Sequence, residues 1–120
     1  MLSPRAEPDP TRPLGHARIV LEGLRRPPAD ASFCIRREGY PSPNLGLHGW
    51  QVREERLSPV HVAVEDGRTV LVAGPAVTRH LEPGPLIFAL PAAGTEAPLF
   101  WPDTIDVYDE GDRKSTRLNS

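Results

Sequence analysis

The stretch VHVAVEDGRTVLVA at residues 60–73 decides the fold class of this chain. Its valines first fall on every second position, which is the side-chain period of a β-strand. The Asp66-Gly67 dipeptide then provides two residues that accept positive φ, as a two-residue hairpin turn requires. Residues 69–73 are rich in β-branched side chains and form the returning strand. We therefore predict a β-hairpin over residues 60–73.

Short apolar segments on both sides of this hairpin extend the β pattern. No window shows a sustained 3.6-residue apolar period, and the 15 prolines interrupt the apolar segments at short intervals. Such punctuation is typical of a sandwich or barrel. The sequence predicts an all-β fold, a single antiparallel Greek-key β-sandwich of about seven or eight short strands. The further strands are predicted at His16–Glu22, Ser32–Arg37, Trp50–Arg56, Ala76–Leu81, Leu86–Leu90, Leu99–Trp101 and Thr104–Tyr108.

Composition divides the 120 residues into three parts. Residues 1–14 contain four prolines among polar residues and are expected to be a flexible, disordered N-terminal arm. Residues 15–112 form the predicted sandwich. The segment RKSTRLNS at 113–120 resembles a tail that recurs in translations of adapter-contaminated sequence assemblies, so we interpret it as a non-native assembly or expression artefact. The alternative is a genuine disordered basic tail. If the tail is an artefact, the sandwich could be the N-terminal module of a longer protein.

Charge and targeting signals limit the function classes. Without Arg113, Lys114 and Arg117, eleven basic residues face 16 acidic ones, for a net charge of −5. A mildly acidic body with scattered arginines disfavours nucleic-acid binding. No signal peptide and no apolar run of about 20 residues is present. This predicts a chain without membrane insertion that is either cytoplasmic or exported by a route that needs no cleaved signal. The single cysteine, Cys34, cannot form an intramolecular disulfide and is expected to be buried.

Residues that could carry catalysis or bind a metal do not form a recognisable pattern. The four histidines, at positions 16, 48, 61 and 80, include no His-x-His pair of the kind that a zinc site in a β fold uses. No serine stands in a Gly-x-Ser-x-Gly elbow. The acidic residues of 103–112 do not have the spacing of an EF-hand loop and are expected to be solvated. We therefore expect no metal, no cofactor and no enzymatic activity.

The segment from Tyr40 to Trp50 is the candidate recognition loop. It combines stiffening prolines, permissive glycines and an aromatic residue at each end, and loops at the end of a sandwich often carry binding residues. Tyr40, Asn44, His48 and Trp50 are the candidate binding residues. The neighbouring Arg36-Arg37 pair is expected to point to opposite faces and to be solvated.

Three functions remain open for the sequence. The favoured hypothesis is a non-catalytic protein-interaction or structural domain with an unknown protein partner and an oligomeric state left open. The alternative is an accessory domain that binds a carbohydrate or small ligand through Tyr40, Trp50 and Trp101. An enzyme would require His61 or His80 beside an acid in a deep pocket. A purely structural loop, with Tyr40 and Trp50 packed on the core, is also open.

Overall fold

Nine antiparallel strands in two sheets form the fold in the computed structural model, which describes residues 2–24 and 27–105. One short helix, α1, and one 3-10 turn, Pro91–Ala93, lie between strands. No helix in these two ranges is long and apolar enough to cross a bilayer. The strands and the helix are β1 Ser3–Pro8, β2 Ala17–Glu22, β3 Cys34–Arg36, β4 Asn44–Gly46, β5 Gly49–Gln51, β6 His61–Glu65, β7 Arg68–Ala73, α1 Pro75–Thr78, β8 Gly84–Leu90 and β9 Thr95–Trp101.

The strands are arranged as a two-layer β-sandwich, as predicted. The first sheet has the order β1-β2-β7-β6 and the second has the order β5-β4-β3-β8-β9. Strand β8 returns to lie beside β3 after the consecutive strands β3, β4 and β5, an arrangement of Greek-key type in which the β6–β7 hairpin of the other sheet intervenes. Strand β1 also packs beside β9, which closes one side of the sandwich.

The predicted hairpin is confirmed as β6 and β7. Glu65 lies opposite Arg68, so that Asp66 and Gly67 form a two-residue turn. Both turn residues have positive φ, 52° for Asp66 and 76° for Gly67, which is the conformation of a type I′ turn. The short-range chemistry of Asp-Gly therefore fixes the register of the two strands.

The core lies between the two sheets and is made of side chains from alternate strand positions. Phe33 and Phe88 stack with their ring centroids 5.6 Å apart. Trp101 and Leu57 are also fully buried in the same cluster. Burying each such side chain stabilises the fold by roughly 1.5–3 kcal/mol, before conformational entropy is subtracted.

The prediction of a flexible arm over residues 1–14 is wrong, because much of this segment is an ordered strand. Residues 3–8 form β1, which pairs with β2 along its whole length. The prolines at positions 4 and 8 are compatible with a strand here because β1 lies at the edge of its sheet, where a missing N–H need not interrupt a ladder. Leu2 and Ala6 are buried in the core, so the segment is part of the sandwich.

Several predicted element boundaries also differ. The segment predicted as a strand at 76–81 contains the helical turn α1, because Pro75 at the first helical position starts a helix instead. Strand β4 lies inside the predicted loop, and the strand predicted at 50–56 ends at Gln51. In the last predicted strand, residues 104 and 105 form a turn and a bend, and the remaining residues, like the segment 113–120, lie outside the described residues.

Candidate functional site

An arginine held between two aromatic rings is the centre of the candidate site. The guanidinium carbon of Arg37 lies 4.0 Å from the centroid of the Tyr40 ring and 4.0 Å from the centroid of the Trp50 ring. A cation at this distance from an aromatic face is attracted by the quadrupole of the ring. The two aromatic residues at the ends of the predicted recognition loop thus converge on one side chain.

The strands and turns of the second sheet hold these three residues in place. Arg37 follows β3 directly, and its backbone N–H donates a 2.8 Å hydrogen bond to the carbonyl oxygen of Pro43. Trp50 lies in β5 opposite Leu45 and packs against the core. Tyr40 lies in the β3–β4 loop and is 54% exposed. One ring is therefore anchored in the fold while the other closes over Arg37 from the solvent side.

The three residues form one wall of a cleft with a volume of about 410 Å³. The opposite wall comes from the Pro-Gly loop before β8 and from the first residues of that strand. The lining is mixed, with apolar surface from Leu86, Ile87 and Pro98, stiff prolines at the rim, and two carboxylates. The remaining lining residues are Glu38, His80, Glu82, Pro83, Gly84 and Pro85.

Two polar atoms in this cleft are buried and have no hydrogen-bond partner among residues 2–24 and 27–105. They are Nε of Arg37 and Nε2 of His80. Burial lowers the pKa of His80, and the nearby positive charges of Arg79 and His48 lower it further. His80 is therefore a neutral imidazole at pH 7, where Nε2 donates or accepts according to its tautomer.

Two of the four residues predicted as binding residues line the cleft, and the other two lie outside it. Tyr40 and Trp50 line the cleft. Asn44 instead donates a 2.9 Å hydrogen bond from its side-chain amide to the carbonyl oxygen of Val52, which stabilises the segment after β5. His48 is exposed in the β4–β5 turn, where it influences His80 without lining the cleft.

The sequence predicted neither Arg37 nor the residues of the opposite wall as cleft residues, and it named His80 only as a residue that an enzyme would require in a deep pocket. Arg36 and Arg37 do diverge, because Arg36 forms a two-pronged ion pair with Glu96 at 2.8 and 2.9 Å. The expectation that Arg37 is solvated is wrong, because its guanidinium is stacked between rings. The proximity of Tyr40 and Trp50 was the only signal in the sequence for this arrangement.

In the described part of the chain, no three His, Cys, Asp or Glu side chains cluster as metal ligands. Among the same residues, no hydrogen bond or ion pair joins His80 to Glu38 or Glu82. Cys34 is buried, and burial raises the pKa of its thiol, as does the nearby charge of Glu54.

Comparisons with protein families, with curated proteins and with solved structures find no match for this chain.

Proposed function

We propose that this chain is a non-catalytic interaction module that binds a segment of a partner protein in the cleft beside Arg37. The observation that carries the proposal is the stacking of the Arg37 guanidinium between Tyr40 and Trp50 in a cleft of mixed polarity. Arginine, tyrosine and tryptophan are the residue types that contribute most binding energy at protein interfaces.

The stacking also prepares Arg37 for binding. A free arginine side chain loses rotamer entropy when a partner immobilises it, at a cost of about 0.5–1.5 kcal/mol. Here the two rings and the bond between Trp50 and His80 already restrict the guanidinium and the ring beside it. The prolines at the opposite rim have fixed φ and add little further entropy cost.

The lining indicates the chemistry of the bound segment. The planar guanidinium presents N–H donors along its edge, which match a backbone carbonyl or a carboxylate. Leu86, Ile87 and Pro98 provide an apolar surface for one side chain of the partner. Glu38 and Glu82 repel a strongly acidic segment. A short, extended segment with an apolar residue beside a basic one fits these groups best.

The same arrangement favours a protein segment over a sugar ring. A sugar is held by stacking on an open aromatic face, and Arg37 covers one face of Tyr40 and one face of Trp50. The cleft also favours binding over catalysis, because in the described residues no hydrogen bond or ion pair joins His80 to Glu38 or Glu82.

Selection from a random peptide library displayed on phage tests the proposal. We expect the selected peptides to bind the wild type and to lose roughly tenfold or more in affinity for Tyr40→Ala. Leu14→Ala is the matched control, because Leu14 is also an exposed apolar side chain but lies in the β1–β2 loop. Peptides that bind both variants equally, or a library that yields no binder, would contradict the proposal.

A second measurement distinguishes the carbohydrate alternative. The sequence has two tryptophans, Trp50 and Trp101. In a Trp101→Phe background all tryptophan fluorescence therefore comes from Trp50 and reports on the cleft. Quenching by a panel of mono- and disaccharides, with no response to the selected peptides, would support a sugar-binding domain instead.

A further inference from the structure

We infer that strand β6 pairs with β6 of a second copy of this chain, in an antiparallel register centred on Ala63. The occupant is a second copy because this register sets the imidazole of each strand opposite the carboxylate of the other and the valines of each strand opposite valines. The inference is independent of the cleft, which lies on the other sheet.

Strand β6 has an open edge in the described part of the chain. It is the last strand of the order β1-β2-β7-β6 and pairs with β7 on one side only. Four of its five residues are exposed, and the fifth, Ala63, is half-buried. An open strand edge presents unpaired N–H and C=O groups, to which another strand can add.

The hairpin turn fixes which backbone groups point outward. In a two-residue hairpin the residues that flank the turn, Glu65 and Arg68, exchange hydrogen bonds. Hydrogen-bonded pairs recur at every second residue of an antiparallel ladder. Ala63 and His61 therefore also direct their backbone N–H and C=O groups towards β7. The backbone groups of Val62 and Val64 consequently point to the open edge, where they can bond a second strand.

One register satisfies these groups and also matches the side chains. Pairing of Val62 with the partner's Val64, and of Val64 with the partner's Val62, uses all four outward-pointing residues. It sets His61 opposite the partner's Glu65, and Glu65 opposite the partner's His61. An imidazole N–H can donate a hydrogen bond to the carboxylate opposite it. A shift of two residues in either direction replaces both of these pairs.

The carboxylate of Glu65 retains capacity for this contact. Its two oxygens already accept bonds from Arg18 at 2.6 and 3.1 Å. A carboxylate offers about four acceptor sites, so a bond from the partner's His61 adds to the pair with Arg18 without replacing it.

The valines supply the apolar part of the contact. Val60, Val62 and Val64 are 58%, 38% and 57% exposed, although Val62 lies on the same face as the buried Ile19 and Leu71. Val62 and Val64, whose β7 partners Leu71 and Thr69 lie opposite the core residues Ile19 and Leu21, are therefore an uncovered margin of the inner face of the first sheet. In the proposed register the two valine rows meet side by side and cover each other across the two-fold axis.

The contact is small, which predicts a dimer that depends on concentration. A five-residue strand pair covers less surface than the roughly 1,200 Å² of a stable interface. We expect dimerisation in the high-micromolar range, where sedimentation equilibrium measures it. Val62→Lys places a charge in the paired edge and is expected to weaken dimerisation by roughly tenfold or more. Phe100→Lys is the control, because Phe100 is also an exposed apolar side chain but lies on β9.

Disulfide trapping tests the register. With the native cysteine replaced in a Cys34→Ala background, Ala63→Cys places two thiols opposite each other at a non-hydrogen-bonded position, where Cα atoms are about 4.5 Å apart and a disulfide forms readily. Val64→Cys is offset from its own copy and is expected to cross-link much more slowly. Circular dichroism confirms that each variant is folded.

Rapid cross-linking of Ala63→Cys together with a dimer that Val62→Lys weakens would support the inference. Three results would overturn it: a wild type that stays monomeric at all concentrations, a dimer that Val62→Lys leaves unchanged, or faster cross-linking of Val64→Cys than of Ala63→Cys.

Discussion

The indole N–H of Trp50 donates a 3.0 Å hydrogen bond to the backbone carbonyl oxygen of His80. This bond joins β5 to the turn after α1, two segments that are 30 residues apart in the sequence. Both residues line the cleft, so the bond sets the separation between its walls. The shape of the candidate binding site therefore depends on one side-chain contact as well as on the sheet.

Trp50→Phe removes this bond while retaining an aromatic ring. We expect the free energy of unfolding to fall by about 1 kcal/mol, because the His80 carbonyl loses its partner and a smaller ring packs less well beside Arg37. Urea denaturation followed by the fluorescence of Trp101 measures the change. Tyr40→Phe, which also retains its ring, is the control and is expected to be near neutral. Equal stability of the two variants would contradict the importance of the bond.

Arg37→Met tests the stacked cation. Methionine keeps the unbranched apolar stem but lacks the charge, so the cation–π attraction to both rings is lost, at a cost of about 0.5–2 kcal/mol. The neighbouring Arg36→Met is a matched control, because it removes only the exposed ion pair with Glu96, which contributes about 0–1 kcal/mol. Urea denaturation measures both variants. A larger loss for Arg36→Met than for Arg37→Met would show that stacking does not stabilise this loop.

The lowered pKa of Asp9 predicts how the free energy of unfolding depends on pH. Burial by itself would raise the pKa of Asp9, but hydrogen bonds from the Thr11 hydroxyl, the Arg12 guanidinium and the Thr11 backbone N–H outweigh it and hold the pKa below its usual value. A carboxyl with a lowered folded-state pKa stabilises the fold above the unfolded-state pKa of about 3.9. That contribution is lost as the pH falls through the folded-state value.

Comparison of Asp9→Asn with the wild type measures this contribution. We expect the variant to be less stable at pH 7 and to lose less stability than the wild type between about pH 5 and pH 2. Asp30→Asn is the control, because Asp30 accepts similar bonds from Ser32 in an exposed turn, where solvent weakens them. Parallel pH profiles of the wild type and Asp9→Asn would contradict the prediction.

The sequence predicted the parts of the fold that depend on local chemistry. The β6–β7 hairpin follows from alternating valines and from Asp66-Gly67, whose backbone preference acts within two residues. The short strands and prolines likewise indicated the β-sandwich. Strand β1 was missed because proline is generally unfavourable in a sheet, whereas its position at an edge, which makes proline acceptable, is a tertiary property.

The candidate site could likewise be predicted only in part from the sequence. Tyr40 and Trp50 were selected because aromatic residues in a proline-rich loop commonly bind ligands. Arg37 and His80 could not be selected, because their position beside these rings depends on how β3, β5 and the turn after α1 pack together. A short apolar run does not distinguish a strand from a buried helical turn, so the sequence around α1 predicts a strand where the structure has a helix.

Thr78 connects α1 to the loop between β1 and β2 through a side-chain hydrogen bond. Substitution of Thr78 tests how much this bond contributes to the stability of the sandwich. Its side chain is fully buried, and the hydroxyl donates a 2.5 Å hydrogen bond to the carbonyl oxygen of Gly15 in the β1–β2 loop. Thr78→Val keeps the shape but leaves that buried carbonyl without its donor, which costs about 1–3 kcal/mol. Thr78→Ser retains the hydroxyl and loses one methyl group, at a cost of about 1 kcal/mol. Thermal and urea denaturation of both variants compare the two costs. A serine variant less stable than the valine variant would mean that packing of the methyl group, and not the hydrogen bond, holds α1 against the β1–β2 loop.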